Sequence, residues 1–206
     1  MTGRPRISIL DYGMGNLRSV AKAVDRAGGQ PVTTSDLGDA VGADAMVVPG
    51  VGAFGACMDG LKEHGLDRSV REFAETDRPL LGVCLGMQVL FDRSEEGDVE
   101  GLGILPGNVV RLPSDVKVPH MGWNTVAWTG THALTEGLIG ESTFYFVHSY
   151  ACVPEQGDVT VGETDYGIRF AAAIGRDNVF ATQFHPEKSG DAGIEIYRNL
   201  VKAATS

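Results

Sequence analysis

The first half of the chain alternates short apolar runs with longer segments in which apolar residues recur every three or four positions. The short runs predict buried strands at residues 7–10, 31–34, 45–48 and 79–83, the second of them the weakest. The longer segments predict helices at residues 17–27 and 53–74, and the latter is expected in two pieces that separate near Gly65. This half is therefore predicted to consist of strand–helix units.

The pattern changes after Gly107 to short alternating segments separated by turn residues, which is typical of strands. These segments are residues 109–112, 124–128, 143–150, 159–163, 171–175 and 179–184. A closing helix is predicted at residues 191–203, with Ser189 as its candidate cap. Residues 94–101 are acidic and contain glycine, which predicts an exposed loop.

Together these elements predict an α/β fold of three αβα layers. We expect a mainly parallel, open sheet with helices on both faces and an antiparallel extension. A length of 206 residues suits one domain and could just allow two small ones, and residues 1–206 are predicted to fold as a single unit.

The net charge of −10 argues against a general nucleic-acid-binding protein, although a local basic patch remains compatible with it. Three cysteines, an odd number in a chain of this length, favour reduced thiols and a cytoplasmic location. Residues 1–6 do not resemble a signal peptide, and no apolar segment is long enough to cross a membrane. Neither nucleic acid nor membrane is therefore expected as a partner.

The pentapeptide Gly82-Val83-Cys84-Leu85-Gly86 has the spacing of a nucleophile elbow, with sulfur in place of the serine oxygen. Such a strand-to-helix turn leaves no room for side chains two residues before and after the nucleophile, so glycine is favoured there. The helix that follows is expected to continue to about Arg93, and its N-terminus would favour a thiolate. The alternative is a buried cysteine that ends an ordinary core strand.

Among the five histidines, His185 is the best candidate for a base, because it follows a buried strand and precedes Pro186. Ligands of open α/β sheets bind at the carboxyl ends of the strands. Glu187 could orient the imidazole, as the third group of a triad does. The alternative is a capping histidine followed by a surface glutamate. His64 and His132 are expected to be solvated.

Two glycine-containing loops follow strands in the first half. The loop Pro49-Gly50-Val51-Gly52 leaves backbone N–H groups uncovered, so it could bind an oxyanion or be only a flexible turn. Gly13 and Gly15 match only part of a dinucleotide-binding pattern, since Arg18 occupies the position of its third glycine. No cofactor and no metal site is predicted.

Residues 82–88 and 183–188 together resemble the class I, triad-type glutamine amidotransferases. Four further stretches resemble the glutaminase subunits of imidazole glycerol phosphate synthases, which act in histidine biosynthesis: residues 11–19, 49–54, 118–124 and 146–150. The resemblance covers essentially the whole chain, and the joint match is highly specific.

The resemblance implies Cys84 as nucleophile, His185 as general acid and base, and Glu187 as its orienting carboxylate. It also implies an oxyanion hole formed by the backbone N–H groups of Gly52 and Leu85.

The same resemblance implies that Gln88 and the backbone around His148, Ser149 and Tyr150 hold the α-amino and α-carboxylate groups of L-glutamine. Residues over the mouth of the site are expected to face a partner, namely His120, Met121, Trp123 and Asn124. Read from the residues alone, Trp123 could also be a core aromatic, which is the less favoured alternative.

The implied reaction is hydrolysis of L-glutamine to glutamate and ammonia without a cofactor. The implied partner is a (β/α)₈-barrel cyclase subunit that forms a heterodimer with this chain and uses the ammonia to make imidazole glycerol phosphate and aminoimidazole carboxamide ribotide. Three alternatives remain open: the glutaminase of another synthase such as the pyridoxal phosphate one, a free-standing γ-glutamyl thiol hydrolase, and a non-catalytic regulatory subunit.

Overall fold

The computed structural model describes residues 3–205, so the interpretation of residues 1–6 falls partly outside the described chain. The strands in the described part are β1 (Arg6–Leu10), β2 (Gln30–Thr34), β3 (Ala45–Gly50), β4 (Leu80–Cys84), β5 (Phe91–Ser94), β6 (Val99–Glu100), β7 (Leu105–Arg111), β8 (His120–Trp128), β9 (Glu141–His148), β10 (Tyr150–Pro154), β11 (Thr160–Asp165), β12 (Arg169–Arg176) and β13 (Val179–Thr182). The α-helices are α1 (Leu17–Arg26), α2 (Leu37–Val41), α3 (Phe54–Glu63), α4 (Leu66–Ala74), α5 (Leu85–Gln88) and α6 (Gly190–Ala203).

Nine strands form one sheet in the order β2-β1-β3-β4-β13-β12-β11-β8-β9. The first five strands of this order pair in parallel. The remaining strands extend the sheet by antiparallel pairing. The predicted parallel sheet with an antiparallel extension is thus confirmed.

Two hydrophobic cores lie on opposite faces of this sheet, which gives the three predicted layers. Helices α1 and α6 bury their apolar residues on one face, where Val24, Tyr197 and Leu200 pack with strand residues such as Ile9. Helices α3 and α4 cover the other face through residues such as Phe54 and Phe73. Burial of this apolar surface is the main force that holds the layers together.

A second sheet of four strands, in the order β10-β7-β5-β6, is not predicted by the sequence pattern. It is formed by residues far apart in sequence, because β10 pairs with β7 and β7 pairs in parallel with β5. Its apolar residues Phe91, Leu105 and Val109 join the core that α3 and α4 cover. Short strands of this kind depend on distant partners, and local sequence carries little information about them.

The prediction of a helix that runs to Arg93 is wrong, because α5 ends at Gln88 and residues 91–94 form β5. Phe91 is fully buried and pairs with Leu105, which draws the chain out of a helix. The loop predicted at residues 94–101 contains β6, which pairs with β5. Helix α2 is a further element that the sequence pattern does not predict.

The two-piece helix is confirmed, since α3 and α4 are separated by Gly65, whose φ of 69° lies in the left-handed region that glycine tolerates. None of the helices within residues 3–205 combines the length and the apolar character needed to span a bilayer.

Candidate active site

Cys84 lies at a sharp turn between β4 and α5, with φ 56° and ψ −109°. The turn and the adjacent strand β3 explain the two neighbouring glycines. A Cβ at Gly82 would lie 2.8 Å from the carbonyl oxygen of Gly86, and a Cβ at Gly86 would lie 1.8 Å from that of Val48. The backbone at Cys84 therefore has the sharp strand-to-helix turn expected of an elbow. A non-glycine residue with this backbone conformation is strained, and such strain concentrates at functional sites.

The order of the strands brings His185 to the same edge as Cys84. Strand β13 is the parallel neighbour of β4, with Thr182 paired to Val83, and His185 follows three residues after Thr182. The backbone N–H of His185 donates to the carbonyl of Tyr145 at 2.9 Å, which ties this turn to β9. Both Cys84 and His185 line one cavity of about 260 Å³.

Glu187 contacts the imidazole as predicted, with its Oε1 2.9 Å from Nδ1 of His185. Pro186 begins a single 3-10 turn that carries the carboxylate back towards the ring. Neither side chain is more than 1% exposed, so both belong to the interior and the alternative of a surface glutamate is wrong.

Burial by itself lowers the pKa of His185, but the nearby Cys84 sulfur and the hydrogen-bonded Glu187 carboxylate outweigh it. The result is a pKa of about 9. Nε2 of this ring makes no hydrogen bond of ordinary geometry to any described residue. The sulfur of Cys84 instead lies 3.8 Å from the carbonyl oxygen of Val147. The second imidazole nitrogen is thus left available for proton transfer in the cavity.

The loop after β3 lies directly beside the elbow, because Gly50 is the register partner of Cys84. The approach is close, since a Cβ at Gly50 would lie 2.7 Å from the backbone nitrogen of Gly86. Gly52 follows with a φ of 99°, and the hydroxyl of Tyr12 donates to the carbonyl of Pro49. The structure therefore places the two proposed oxyanion-hole residues, Gly52 and Leu85, in the lining of the same cavity.

The residues expected to hold glutamine also line this cavity, namely Gln88, His148, Ser149 and Tyr150. The Nε2 amide group of Gln88 donates to the carbonyl of Tyr150 at 3.0 Å, and Nδ1 of His148 lies 2.9 Å from the same oxygen. The predicted cluster is thus assembled around one backbone carbonyl.

The residues predicted to face a partner divide between the two faces of β8. Met121 and Trp123 are 63% and 60% exposed, so Trp123 is not a core aromatic. His120 is buried and stacks on Tyr166 at 3.9 Å between ring centroids, which makes the prediction of a partner-facing His120 wrong. The physical reason is the alternation of side chains along a strand. Asn124 shares the inner side with His120 and lies 3.3 Å from its Nε2.

Two further residues of the site are given no role by the sequence analysis, although Gln183 begins the stretch 183–188 on which the resemblance rests. Glu96 lines the cavity, and its Oε2 accepts a hydrogen bond of 2.8 Å from the backbone N–H of Phe54 at the start of α3. Gln183 is fully buried, with Nε2 3.9 Å from the sulfur of Cys84. Glu96 lies in the segment predicted to be a loop, and no local pattern marks it.

The remaining histidines follow the predictions in part. His64 is exposed. His132, expected to be solvated, instead stacks on Phe180 and bonds the carbonyl of Asp177 through Nε2 at 3.0 Å. Burial lowers its pKa despite that bond.

The other two cysteines differ from Cys84 in environment. Burial raises the pKa of Cys57 to about 12, even though its bond to Tyr12 opposes the change. Burial also raises the pKa of Cys152 well above its ordinary value. Both favour the neutral thiol, which is a poor nucleophile. Among residues 3–205, the His, Cys, Asp and Glu side chains form no group of three arranged to hold a metal ion.

The elbow cysteine, the buried His–Glu pair and the open α/β sheet agree with a family profile described as "Glutamine amidotransferase class-I", which matches residues 9–204. The chain therefore belongs to the class I glutamine amidotransferases.

Curated relatives identify one family within this class. The chain is 52% identical over 195 residues to the imidazole glycerol phosphate synthase subunit HisH of Moorella thermoacetica, covering 94% of this chain and 93% of that protein. It is 49% identical over 197 residues to the subunit of the same name from Methanothermobacter thermautotrophicus, covering 95% and 98%. Within the class, the chain belongs to this family of synthase subunits.

Solved structures agree on the fold. One, described as a putative GMP synthase subunit from Thermoplasma acidophilum, superposes with a TM-score of 0.77 at 19% identity, covering 100% of this chain and 96% of that one. Another, described as a glutamine amidotransferase, has a TM-score of 0.75 at 22% identity, covering 97% and 99%.

Proposed function

We propose that this chain hydrolyses L-glutamine to glutamate and ammonia through Cys84, His185 and Glu187, as the glutamine-hydrolysing subunit of an imidazole glycerol phosphate synthase in histidine biosynthesis. The observation that carries the proposal is the elbow cysteine in one cavity with a buried imidazole whose Nδ1 is held by Glu187 at 2.9 Å. Family membership supports the choice of glutamine as substrate.

In the first step the Cys84 thiolate attacks the side-chain amide carbon of glutamine, and the carbonyl electrons move to oxygen. The backbone N–H groups of Gly52 and Leu85 stabilise this oxyanion. Imidazolium His185 then donates a proton to the amide nitrogen, the C–N bond breaks, and ammonia leaves behind a γ-glutamyl thioester. The raised pKa of His185 suits this role, because it keeps the proton on the ring until the leaving group takes it.

In the second step the neutral imidazole takes a proton from water, which attacks the thioester carbon. Collapse of the second tetrahedral intermediate releases glutamate and restores the thiolate and imidazolium. Glu187 holds the ring throughout and stabilises its positive charge, as the acid of a triad does.

Glutamine is held at its α-carbon by groups on the other side of the cavity. Gln88 and the backbone at residues 148–150 supply hydrogen bonds, and the Glu96 carboxylate supplies negative charge for the α-ammonium group. The substrate side chain then extends towards Cys84.

The synthase partner is proposed to be a (β/α)₈-barrel cyclase that accepts ammonia in its interior. Ammonia is reactive only while unprotonated, so direct transfer protects it from bulk water. The exposed Met121 and Trp123 on β8 provide an apolar surface suited to such a partner. We place the reaction in the cytoplasm and regard residues 1–206 as one domain, which stays a prediction.

The isolated chain is proposed to be a poor glutaminase. The loop at residues 49–52 contains two glycines, and its N–H groups can point towards or away from the oxyanion. A partner that binds one arrangement more tightly shifts the population towards it.

The test is a glutaminase assay on the wild-type chain with and without the candidate cyclase. We expect marked stimulation by the cyclase and loss of activity in Cys84→Ala, while Cys152→Ala serves as the matched control with a buried thiol. Equal turnover with and without the cyclase would favour a free-standing thiol hydrolase. Stimulation only by a different synthase would favour the other glutaminase alternative, and failure of a glutamine analogue to alkylate Cys84 would favour a regulatory subunit.

A further inference from the structure

A chain of hydrogen bonds with a defined direction begins at Asn124 on β8. Oδ1 of Asn124 accepts from the backbone N–H of Thr125 at 2.8 Å, so its Nδ2 group is the donor. Nδ2 lies 3.0 Å from the carbonyl oxygen of Asp165 and 3.3 Å from Nε2 of His120. Nε2 of His120 must therefore be an acceptor, which leaves the proton of the neutral ring on Nδ1.

The next two members of this hydrogen-bond chain are the buried imidazoles of His120 and His148, and the direction of donation stays the same. Nδ1 of His120 lies 2.9 Å from Nε2 of His148, and Nδ1 of His148 lies 2.9 Å from the carbonyl oxygen of Tyr150. Each ring accepts at Nε2 and donates at Nδ1. Burial lowers the pKa of His120 to about 4 and that of His148 to about 3, so both rings are neutral at neutral pH. A bond between two neutral rings needs one donor and one acceptor, and this arrangement provides both.

This chain of hydrogen bonds ends at the carbonyl oxygen of Tyr150, a residue that lines the cavity. This oxygen also accepts from Nε2 of Gln88 at 3.0 Å, and Nε2 donates its other hydrogen to Oε1 of Gln183 at 3.1 Å. Gln183 in turn directs its own Nε2 towards the sulfur of Cys84. Both hydrogens on Nε2 of Gln88 are used in these two bonds. The only side-chain polar atom of Gln88 that is left to contact a substrate is therefore the acceptor Oε1.

We infer that Asn124, His120 and His148 are positioning residues. The donor that ends their chain, Nδ1 of His148, holds the Tyr150 carbonyl in place, and this carbonyl accepts from Nε2 of Gln88, so that the amide oxygen of Gln88 is presented to the α-ammonium group of the substrate. The inference rests on the proposed function, since glutamine is the ligand with that ammonium group. A displaced Tyr150 carbonyl would free the Gln88 amide to reverse, which would direct N–H groups at a cation and weaken binding. None of the three side chains needs to touch glutamine for this effect.

The first test locates the N–H protons of the His120 and His148 rings directly. Nitrogen-15 NMR of histidine-labelled protein at neutral pH should show His120 and His148 as neutral rings protonated at Nδ1. Assignment by single substitution identifies the two signals. A proton on Nε2 of either ring would overturn the inference. This measurement needs no turnover, so it stands even if the chain proves not to hydrolyse glutamine.

The second test compares two substitutions at His148 in the complex with the cyclase. Asparagine places an amide N–H near the position of Nδ1 and can still donate to Tyr150, whereas glutamine places its amide near Nε2 and cannot. We expect His148→Gln to raise the KM for glutamine about tenfold with little change in kcat, and His148→Asn to restore most of the wild-type KM. If His148 only filled space, His148→Gln should have the lower KM of the two variants, because glutamine is closer to histidine in volume.

The matched control is His132→Gln, which removes a partly buried imidazole that bonds a carbonyl outside this network. We expect it to leave the KM unchanged. Equal KM values for His148→Asn and His148→Gln would overturn the inference. If no variant, wild type included, shows cyclase-stimulated glutaminase activity, the proposed function fails instead.

Discussion

Nδ1 of His185 lies 2.9 Å from Oε1 of Glu187, and each side chain is only 1% exposed. A buried carboxylate this close favours the charged form of the imidazole. The second oxygen of Glu187 has no hydrogen-bond partner within the described chain, so the imidazole is the main group that compensates its burial. The two groups therefore depend on each other for their charged forms.

The substitution Glu187→Gln should lower the pKa of His185 below its value of about 9, because the amide keeps the hydrogen bond but removes the negative charge. We expect a decrease of about one unit or more. Histidine NMR titration of the wild type and the variant measures it. Glu195→Gln, which removes a partly exposed carboxylate paired with Arg198, is the control. A His185 pKa that stays near 9 in Glu187→Gln would contradict the coupling.

The same shift links the pair to stability. The folded-state pKa of His185 is higher than the ordinary value of 6.5, so the folded protein binds the extra proton between the two values. Its contribution is complete below pH 6.5 and is lost as the pH rises through about 9. Glu187→Gln should flatten this part of the pH dependence of unfolding.

The elbow gives a second prediction. Gly86→Ala would place a Cβ 1.8 Å from the carbonyl oxygen of Val48, which is backbone and cannot rotate away. We expect the free energy of unfolding to fall by about 2 kcal/mol or more, as in overpacked cores. Gly157→Ala is the matched control, because an added Cβ there meets nothing within 4 Å. Urea titration should separate the two variants, and equal midpoints would contradict the steric argument.

The sequence is informative where one short segment determines the geometry. Gly82 is required by the turn itself, since its Cβ would meet the carbonyl oxygen of Gly86, whereas Gly86 is required by the close approach of β3 at Val48. His185 can be placed at the sheet edge because Pro186 prevents a strand from continuing past it, although β13 already ends at Thr182. For Gly82 and His185 the physical cause lies within five residues of the pattern.

The sequence is uninformative where the cause is distant. The local sequence predicts that Phe91 lies in a helix, and only its pairing with Leu105 explains why it lies in β5. The local sequence predicts that Glu96 lies in an exposed loop. Its carboxylate instead lies in the cavity wall, where it accepts a hydrogen bond from the backbone N–H of Phe54 at the start of α3. His120 is predicted to face a partner, although the face of β8 on which it lies depends on the register with β9.

The exposed side of β8 gives a third prediction. Met121→Ala and Trp123→Ala should each weaken binding of the cyclase about tenfold, since large exposed apolar side chains at an interface contribute most of its energy. The stability of the isolated chain should change little. Ile139→Ala, which removes an 88% exposed apolar side chain beyond the opposite end of the β8–β9 pair, is the control. Calorimetric titration with the cyclase measures the dissociation constants, and unchanged values would remove β8 from the interface.

The His120–His148 pair gives a fourth prediction, which concerns acid stability. Burial holds both pKa values below 6.5, at about 4 and about 3, so the unfolded chain binds more protons than the folded one between these values and 6.5. Stability should therefore fall as the pH drops below 6.5. Each imidazole contributes up to about 1.4 kcal/mol per pH unit.

Urea unfolding between pH 7.5 and 4.5 tests this expectation. His120→Phe keeps a ring that can stack between Phe146 and Tyr166 and removes one of the two titrating groups, so its stability should depend less steeply on pH than that of the wild type. His64→Gln, at an exposed position, should follow the wild-type slope. If His120→Phe lost stability as steeply as the wild type over this range, the acid sensitivity would have to arise from other groups, and the neutral, one-way pairing of the two rings would lose its thermodynamic support.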